Sequence, residues 1–321
     1  MEDIETSWDS DTDVSRLVML YSIPHFLRGV WRMSYFGSGD ALSAILVLSI
    51  IDANLSHIVR DPVLALRHAA PDNPPPDEIR RPISVRALAA SLRIPYDTAR
   101  RRVADLVIRD QCVRVPAGVY VPARALRTPE NLAALSDTLR SVRRLHADLK
   151  AAAPEFDPTG GVTPIEGLVI PASPERLAAR FAGEYQLRFA ERLAQTVGDL
   201  GRGLILMAIM QANAEPMLSD PLLARRHSSA ANPPPDELLA PIPVLTVATQ
   251  LGLPFETVRR NVNRLIWAGV ARRVRGGVIA PHAFLDYEGS RRALVAHAKD
   301  VQRSYGSMAR LGLLFDESGG G

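Results

Sequence analysis

Residues 83–115 have the sequence ISVRALAASLRIPYDTARRRVADLVIRDQCVRV, and this segment decides the fold class of the chain. Ser84 belongs to the residue types that cap helices, so a short helix is predicted over residues 85–92. The next three residues, Arg93-Ile94-Pro95, interrupt it, because a proline disfavours the helical conformation in the residue before it. A longer helix is predicted over residues 96–110. The segment therefore predicts two helices joined by a tight turn.

The longer helix has one apolar face and one polar face. A step of about 100° per residue puts its apolar residues together on the side that faces a core. These residues are Ala99, Val103, Leu106 and Val107. The opposite side carries Asp97, Thr98, Arg101, Ala104 and Asp105, with Arg100 at its flank. This helix is expected to pack with one face and to present the other to a partner.

Further elements are predicted on both sides of this pair. Residues 112–121 alternate around a Pro-Ala-Gly turn and predict a small hairpin. Upstream, spaced apolar residues predict a helix over 14–33, and Asp40 can cap a second, nearly all-apolar helix that runs to about residue 58. Pro74 to Pro76 predict polyproline-like structure in an extended polar insertion. A last helix is predicted over 129–150.

The same unit occurs twice in the chain. The sequence NPPPDE stands at residues 73–78 and again at 232–237, a displacement of 159 residues. At this displacement residues 61–126 match a later segment at a little under half of their positions without a gap. A period this long indicates a duplicated domain that can bury its own core. The predicted organisation is an acidic disordered tail at 1–13, a first repeat at 14–150, a linker at 151–172, a second repeat at 173–310 and a flexible tail at 311–321.

The centre of each repeat resembles the winged helix-turn-helix of bacterial transcription regulators of the MarR and GntR type. The resemblance rests on a helix ending in a leucine, a short turn, a Thr-x-Arg-Arg helix and a basic hairpin. It implies a mainly α fold with small β-wings, built from two tandem winged helix-turn-helix domains. The flanking helices are similar to those that form the dimer interface in MarR-type proteins, whereas the NPPPDE insertion departs from that pattern.

The resemblance implies a set of DNA-contacting residues. Arg101 and Arg260 point most directly outward and are assigned to bases, with guanine as the expected partner. Thr98 and Thr257, near the helix starts, are assigned to phosphate. The predicted set comprises Ser84, Arg86, Asp97, Thr98, Arg100, Arg101, Arg114, Glu256, Thr257, Arg259, Arg260, Asn263, Arg264, Arg272, Arg273 and Arg275.

Two alternatives stay open on this face. Asp97 and Glu256 either accept a hydrogen bond from a cytosine amine or simply stabilise the helix N-terminus. The arginines either contact DNA or form a solvated face. Both repeats keep the Arg-Arg pair while neighbouring residues differ, and this favours contact.

The two repeats differ in basic charge. The first wing strand has one arginine, Arg114, whereas the second wing has Arg272, Arg273 and Arg275. Wing arginines are suited to phosphate or minor-groove contact. The second recognition helix also carries Arg264, where the first has an aspartate. The second repeat is therefore predicted to bind DNA more strongly.

Composition limits the location of the protein. The single cysteine, Cys112, excludes an internal disulfide framework and fits a reducing compartment. The acidic N-terminus lacks the basic region of a secretory signal, and the apolar run at 44–51 is too short to span a bilayer. Net charge is +3, and arginine supplies nearly all of the basic charge. The expected location is the bacterial cytoplasm, in association with the nucleoid.

The function predicted from these features is sequence-specific regulation of transcription, with repression preferred on family analogy. One chain could bind both halves of a pseudo-palindromic double-stranded DNA operator as a pseudo-dimer. A homodimer stays open, and no feature specifically supports a small-molecule effector. Two alternatives remain: a replication initiator or chromosome-organising protein, and a winged-helix scaffold that binds proteins.

Catalysis is not expected. The chain has neither a Gly-rich phosphate loop nor a nucleophile–base signature. His68 and His227 each stand near one pair of carboxylates, which is a poor ligand set for a metal, so no metal or other cofactor is predicted. They are expected instead to order the insertion through local hydrogen bonds. Trp267 is expected to pack near the base of the second wing.

Overall fold

The structure is a computed structural model that describes residues 13–36, 39–168 and 170–314. The described residues are mainly helical with small two-stranded sheets, as predicted. In the first half, the elements are α1 (Ser15–Phe36), α2 (Ala41–Val59), α3 (Pro62–Arg67), α4 (Val85–Ser91), α5 (Tyr96–Ile108), β1 (Val113–Val115), β2 (Gly118–Tyr120) and α6 (Pro129–Ala152). The predicted tails at 1–13 and 311–321 lie largely outside the described residues.

The second half repeats this order of elements. It contains α7 (Glu175–Val197), α8 (Leu200–Asn213), α9 (Glu215–Ser219), α10 (Pro221–Arg226), α11 (Val244–Leu251), α12 (Phe255–Trp267), β3 (Arg272–Val274), β4 (Gly277–Ile279), α13 (His282–Leu285) and α14 (Glu288–Arg310). One difference lies at Pro216. The helix that runs unbroken as α2 is divided there into α8 and α9, because proline cannot continue a helix interior.

The predicted helix starts are confirmed at both capping residues. Asp40 accepts hydrogen bonds from the amides of Leu42 and Ser43 at the start of α2, each at 3.0 Å. Ser84 accepts one from the amide of Ala87 at 3.1 Å and so begins α4. The end of α5 was predicted two residues too late. Asp110 has a φ of 58°, a left-handed conformation that is incompatible with a continuing helix.

The wing of each repeat gains a third strand-like segment. Residues β1 and β2 pair in antiparallel register, and so do β3 and β4. Ile83 also bridges to Val119, and Ile242 bridges to Val278 in the same way. A Cβ on Gly277 would lie 2.1 Å from the carbonyl oxygen of Ile242, and φ at this glycine is 153°. Glycine is therefore required where the segment before the helix pair crosses the hairpin.

The insertion is not wholly extended, as was predicted, because it begins with a short helix. Asp61 caps α3 by accepting from the amides of Val63 and Leu64, and a proline occupies the first helical position. The prolines that follow are polyproline-like, with φ −66° and ψ 162° at Pro76. The local hydrogen bonds expected of His68 are present, since its Nδ1 lies 3.3 Å from the carbonyl oxygen of Asn73.

The aspartate of NPPPDE ties the insertion to the segment behind the wing. The carboxylate of Asp77 accepts from the amide of Ala123 at 2.6 Å, and Asp236 accepts from the amide of His282 at the same distance. Asp77 also pairs with Arg80 at 3.1 Å. The duplicated motif therefore fixes the exit of each hairpin.

The two repeats bury a shared core. Helix α1 packs against α14 as well as against α6, and α7 packs against α6 as well as against α14. Helix α2 likewise contacts α7, and α8 contacts α1. Exchanging the two repeats converts each of these contacts into the other, which is the isologous pattern of a two-fold dimer. The buried apolar residues of both repeats form one contiguous cluster.

Aromatic rings and histidines fill the centre of this interface. Phe26 and Phe189 lie with their ring centroids 4.6 Å apart, and Phe189 lies 4.4 Å from the ring of His297. Burial lowers the pKa of His25 and of His297 to about 3 each, so both rings are neutral at pH 7. The centre of the molecule is thus apolar and uncharged at that pH.

Helix α2 is long and apolar enough to cross a membrane on length and composition, and α7 with α8 would pass the same test as one bent pair. The angle within that pair is 99°. Of the apolar window in α2, 67% is buried inside the structure, as expected of a core helix.

Candidate nucleic-acid interface

Helix α5 buries one face and exposes the other. Ala99, Val103 and Leu106 are fully buried. The opposite side carries exposed and half-buried residues. The exposed residues are Asp97, Arg100, Arg101 and Asp105, and the half-buried residues are Thr98 and Ala104. The apolar spacing of the sequence thus produces the orientation of the helix in the structure.

Helix α12 has the same arrangement with more positive charge. Val258, Val262 and Leu265 are buried. Glu256, Arg259, Arg260 and Arg264 are exposed, and Thr257 and Asn263 are half-buried. Neither α5 nor α12 has a side-chain cap at its first turn, where a proline stands in the cap position. The amides of these first turns therefore depend on solvent or a partner for hydrogen bonds.

Intrahelical ion pairs occupy one arginine of each Arg-Arg pair. Arg100 Nε lies 3.5 Å from Asp97 Oδ1, and Arg259 Nη2 lies 2.8 Å from Glu256 Oε2. A hydrogen bond from Arg259 lowers the pKa of Glu256. Within the described part of the chain, Arg101 and Arg260 form no ion pair. The outermost arginine of each helix is consequently available to an external anion or base.

The wing arginines differ in their commitments. Arg114 and Arg275 are exposed and make no ion pair with another described residue. Arg272 forms an ion pair with Asp236 of the second NPPPDE motif. Arg273 Nη2 donates to Asn263 Oδ1 at 2.9 Å, which joins the second wing to α12. The predicted residues of the second repeat therefore form one continuous surface.

Ser84 and Arg86 lie at the start of the shorter helix, α4. The Ser84 hydroxyl is used as the helix cap, so its expected contact with DNA would compete with that hydrogen bond. Arg86 is exposed and projects from the first turn of α4.

Arg102 acts differently from its two neighbours. Its Nη1 donates to Asp40 Oδ2 at 2.6 Å and also bonds to Ser43, so it anchors α5 to the start of α2. The sequence analysis left this residue unassigned. Its third position in an arginine run directs it away from the outward face, and this spacing was the available signal.

The turn before α12 meets the same segment from the other repeat. A Cβ on Gly252 would lie 2.4 Å from the carbonyl oxygen of Gly39 and 3.2 Å from Asp40 Cα. Asp40 is also the partner of Arg102. Helix α5 and the turn that leads into α12 therefore lie on the same side of the molecule.

The prediction for Trp267 is wrong. It is 91% exposed at the end of α12, and the equivalent Ile108 of α5 is 82% exposed. The first residues of the two helices, Tyr96 and Phe255, are also partly exposed at 48% and 42%. Apolar side chains thus flank the arginines at both ends of each helix. The period of the helix alone could have shown that Trp267 lies off the buried face.

A comparison of the chain with protein-family models, with curated proteins and with solved structures finds no match.

Proposed function

We propose that the protein is a sequence-specific regulator of transcription that binds double-stranded DNA through two winged helix-turn-helix units in one chain. Arg101 and Arg260 are the central base-contacting residues in this proposal. The observation that carries it is their shared state, since each is exposed on the face opposite a buried stripe and neither has an ion-pair partner among the described residues. Arginine in this state is suited to bidentate contact with guanine in the major groove.

The wings and helix starts supply the phosphate contacts in the proposal. Arg114 and Arg275 extend the basic surface beyond the helices, and the uncapped first turns of α5 and α12 offer backbone amides. Contacts of this kind position a protein on DNA but carry no base information. Sequence preference is assigned to the helices.

The relation between the repeats supports a pseudo-dimer. Their reciprocal packing follows the pattern of a two-fold dimer, and regulators of that kind bind half-sites about one helical turn apart. The contacts of Arg102 and Gly252 with the segment at Asp40 support the presence of both units on one side. A single protein molecule would then occupy an imperfectly palindromic operator in the bacterial cytoplasm. Repression by blocking a promoter is the preferred mode.

The test is selection of bound fragments from random duplex DNA, performed with the unaltered protein, Arg101→Ala and Arg260→Ala. We expect one bipartite motif, with each substitution relaxing a different half of it. Loss of one bidentate contact is expected to cost about 1–3 kcal/mol at its own base pair. Arg140→Ala, which removes an exposed arginine of α6, serves as the control and should leave the motif unchanged.

Either of two results would change the proposal. If only Arg260→Ala alters the motif, the first repeat does not contact bases. If no sequence is enriched even at low salt, DNA binding is excluded as the function of this surface.

A protein-binding scaffold is the second candidate, favoured by the exposed Trp267 and Ile108 at equivalent positions. Exposed tryptophan is enriched at protein interfaces. A scaffold would retain its partner at high salt, whereas phosphate contacts weaken steeply as salt rises. Substitution Trp267→Ser should abolish partner binding under the scaffold hypothesis and leave the selected DNA motif intact under the regulator hypothesis.

A further inference from the structure

Two cavities lie at equivalent places between the repeats. The first, termed here the arginine cavity, is bounded by α2 and α6 together with the first turns of α7, and its volume is about 110 Å³. The second, termed the leucine cavity, is bounded by α8 and α14 together with the first turns of α1, and its volume is about 90 Å³. Since a single water needs about 10–15 Å³, each has room for a ligand of several heavy atoms.

The residues that line the two cavities correspond through the repeat. Leu126, Asn131 and Ala134 line the arginine cavity, and their counterparts Leu285, Ser290 and Ala293 line the leucine cavity. The correspondence extends to the helix contributed by the other repeat, at a displacement of 160 residues. Arg176 lines one cavity, and Arg16 lines the other.

Two positions have diverged from leucine to arginine or the reverse. Arg180 lines the arginine cavity, whereas its counterpart Leu20 lines the leucine cavity. Arg80 lies behind Arg180, and its counterpart Leu239 also lines the leucine cavity. The arginine cavity has therefore gained positive charge at two positions where the other cavity is apolar.

The buried guanidinium groups are not matched by carboxylates. Arg80 and Arg176 are each 5% exposed, and the one ion pair that either forms among the described residues joins Arg80 to Asp77. Arg176 donates to backbone carbonyl oxygens, including that of Ala70 at 3.2 Å. Arg180 donates to the carbonyl oxygen of His68 at 2.9 Å. Buried charges without counter-ions are costly and are usually paired.

Arg180 has unused hydrogen-bonding capacity. Its Nε and Nη1 are buried and have no acceptor among the described residues, and Nη1 of Arg80 is in the same state. Burial, followed by the charges of Arg176 and Arg80, lowers the pKa of Arg180 to about 10. A small rotation of the long Arg180 side chain would present these nitrogens to the cavity it lines.

The remaining wall is largely apolar. Leu48, Leu55 and Leu135 line it, and Asp52 is the one carboxylate among the described lining residues. Burial and the nearby Glu184 raise the pKa of Asp52, which reduces its opposition to an anion. Arg32 adds a further positive charge to the wall.

We propose that the arginine cavity binds a small organic carboxylate, with its anionic group on Arg180 and its hydrocarbon part among the leucines. The leucine cavity, with Leu20 and Leu239 in the corresponding places, would accept a neutral apolar molecule instead. This inference stands apart from DNA binding, because it concerns a different surface and is tested without DNA.

The test compares hexanoate with hexanol by isothermal titration calorimetry on the full chain. Benzoate and benzyl alcohol form a second matched pair of probes. We expect at least one acid to bind about tenfold more tightly than its alcohol, as a charge-assisted hydrogen bond implies. Arg180→Leu installs the residue found at the equivalent position and should remove that preference. Arg292→Leu, which removes an exposed arginine of α14, should preserve it.

A second variant protects the test against misfolding of Arg180→Leu. Ala134→Leu fills the arginine cavity without altering charge, and it should weaken the binding of the acid at least tenfold. The proposal is overturned if both acids bind no better than their alcohols, if neither acid binds, or if a folded Arg180→Leu protein keeps the preference.

Discussion

Arg16 and Arg176 make the same interaction in opposite directions across the two repeats. Arg16 donates to the carbonyl oxygens of Ser229 and Leu285, each at 3.3 Å. Arg176 donates to those of Ala70 and Leu126, at 3.2 and 3.3 Å. The four acceptors are equivalent through the repeat. Burial lowers the pKa of each arginine to about 10.

Removing either arginine should destabilise the fold through the same mechanism. Arg16→Met and Arg176→Met each leave backbone carbonyl oxygens buried without a donor, at a cost of about 1–3 kcal/mol in the free energy of unfolding. Urea denaturation followed by circular dichroism measures the change. Arg140→Met removes an exposed arginine of α6 and should shift stability by less than about 0.5 kcal/mol. Equal stability of all three variants would show that the paired contacts contribute nothing.

Gly277 should not tolerate alanine. The added Cβ would lie 2.1 Å from a backbone carbonyl oxygen, and the φ of 153° is one that other residues rarely adopt. We expect Gly277→Ala to lower the free energy of unfolding by about 1–3 kcal/mol. Gly269→Ala is the matched control, because Gly269 also has a positive φ but open space around it. A cost for Gly277→Ala no greater than that of the control would contradict the close approach of the two backbones.

The second wing should contribute more phosphate contacts than the first. In the proposed DNA complex, Arg273→Ala with Arg275→Ala should reduce the slope of log affinity against log salt by about two, and Arg114→Ala by about one. Filter binding or fluorescence anisotropy at several salt concentrations gives these slopes. Equal reductions for the two wings would contradict the stronger binding assigned to the second repeat.

The buried histidines should make the protein acid-sensitive. Each has a pKa of about 3 in the folded state, below the ordinary value near 6.5, so the unfolded state binds more protons between these values. Stability therefore falls as pH decreases from about 6.5 towards 3, by about 1.4 kcal/mol per pH unit for each histidine.

His297→Phe tests this dependence. Phenylalanine suits a site in contact with the ring of Phe189 and cannot be protonated. The slope of stability against pH between 5 and 6 should decrease by about 1.4 kcal/mol per pH unit. Measurements at pH 8, where the neutral histidine is retained, give the separate effect of packing. An unaltered slope would mean that His297 does not titrate with unfolding.

Local chemistry made much of this fold predictable from the sequence. Asp40 and Ser84 begin helices because a capping side chain acts within three residues of itself. The buried stripes of α5 and α12 follow from the helical period. Short helix α3 was missed, although Asp61 followed by proline is a start signal that recurs at Asp220.

Contacts between distant segments could not be predicted in the same way. The bridge from Ile83 to the wing joins residues 36 positions apart, and no periodicity marks it. Reciprocal bonds of Arg16 and Arg176 reveal that the first helices of the repeats match at a displacement of 160 residues, one more than the remainder. A search at a single displacement therefore missed them. The availability of Arg101 and Arg260 likewise depends on which neighbours the fold supplies.

The shared core between the repeats has a consequence for behaviour on dilution. Two separate subunits come apart when their concentration falls below their dissociation constant, but halves of one chain remain associated at any concentration. A covalent pair also frees each half to change alone, whereas a substitution in a homodimer appears in both subunits at once. The unequal cavities and wings are differences of this kind, which an assembly of identical chains could not acquire.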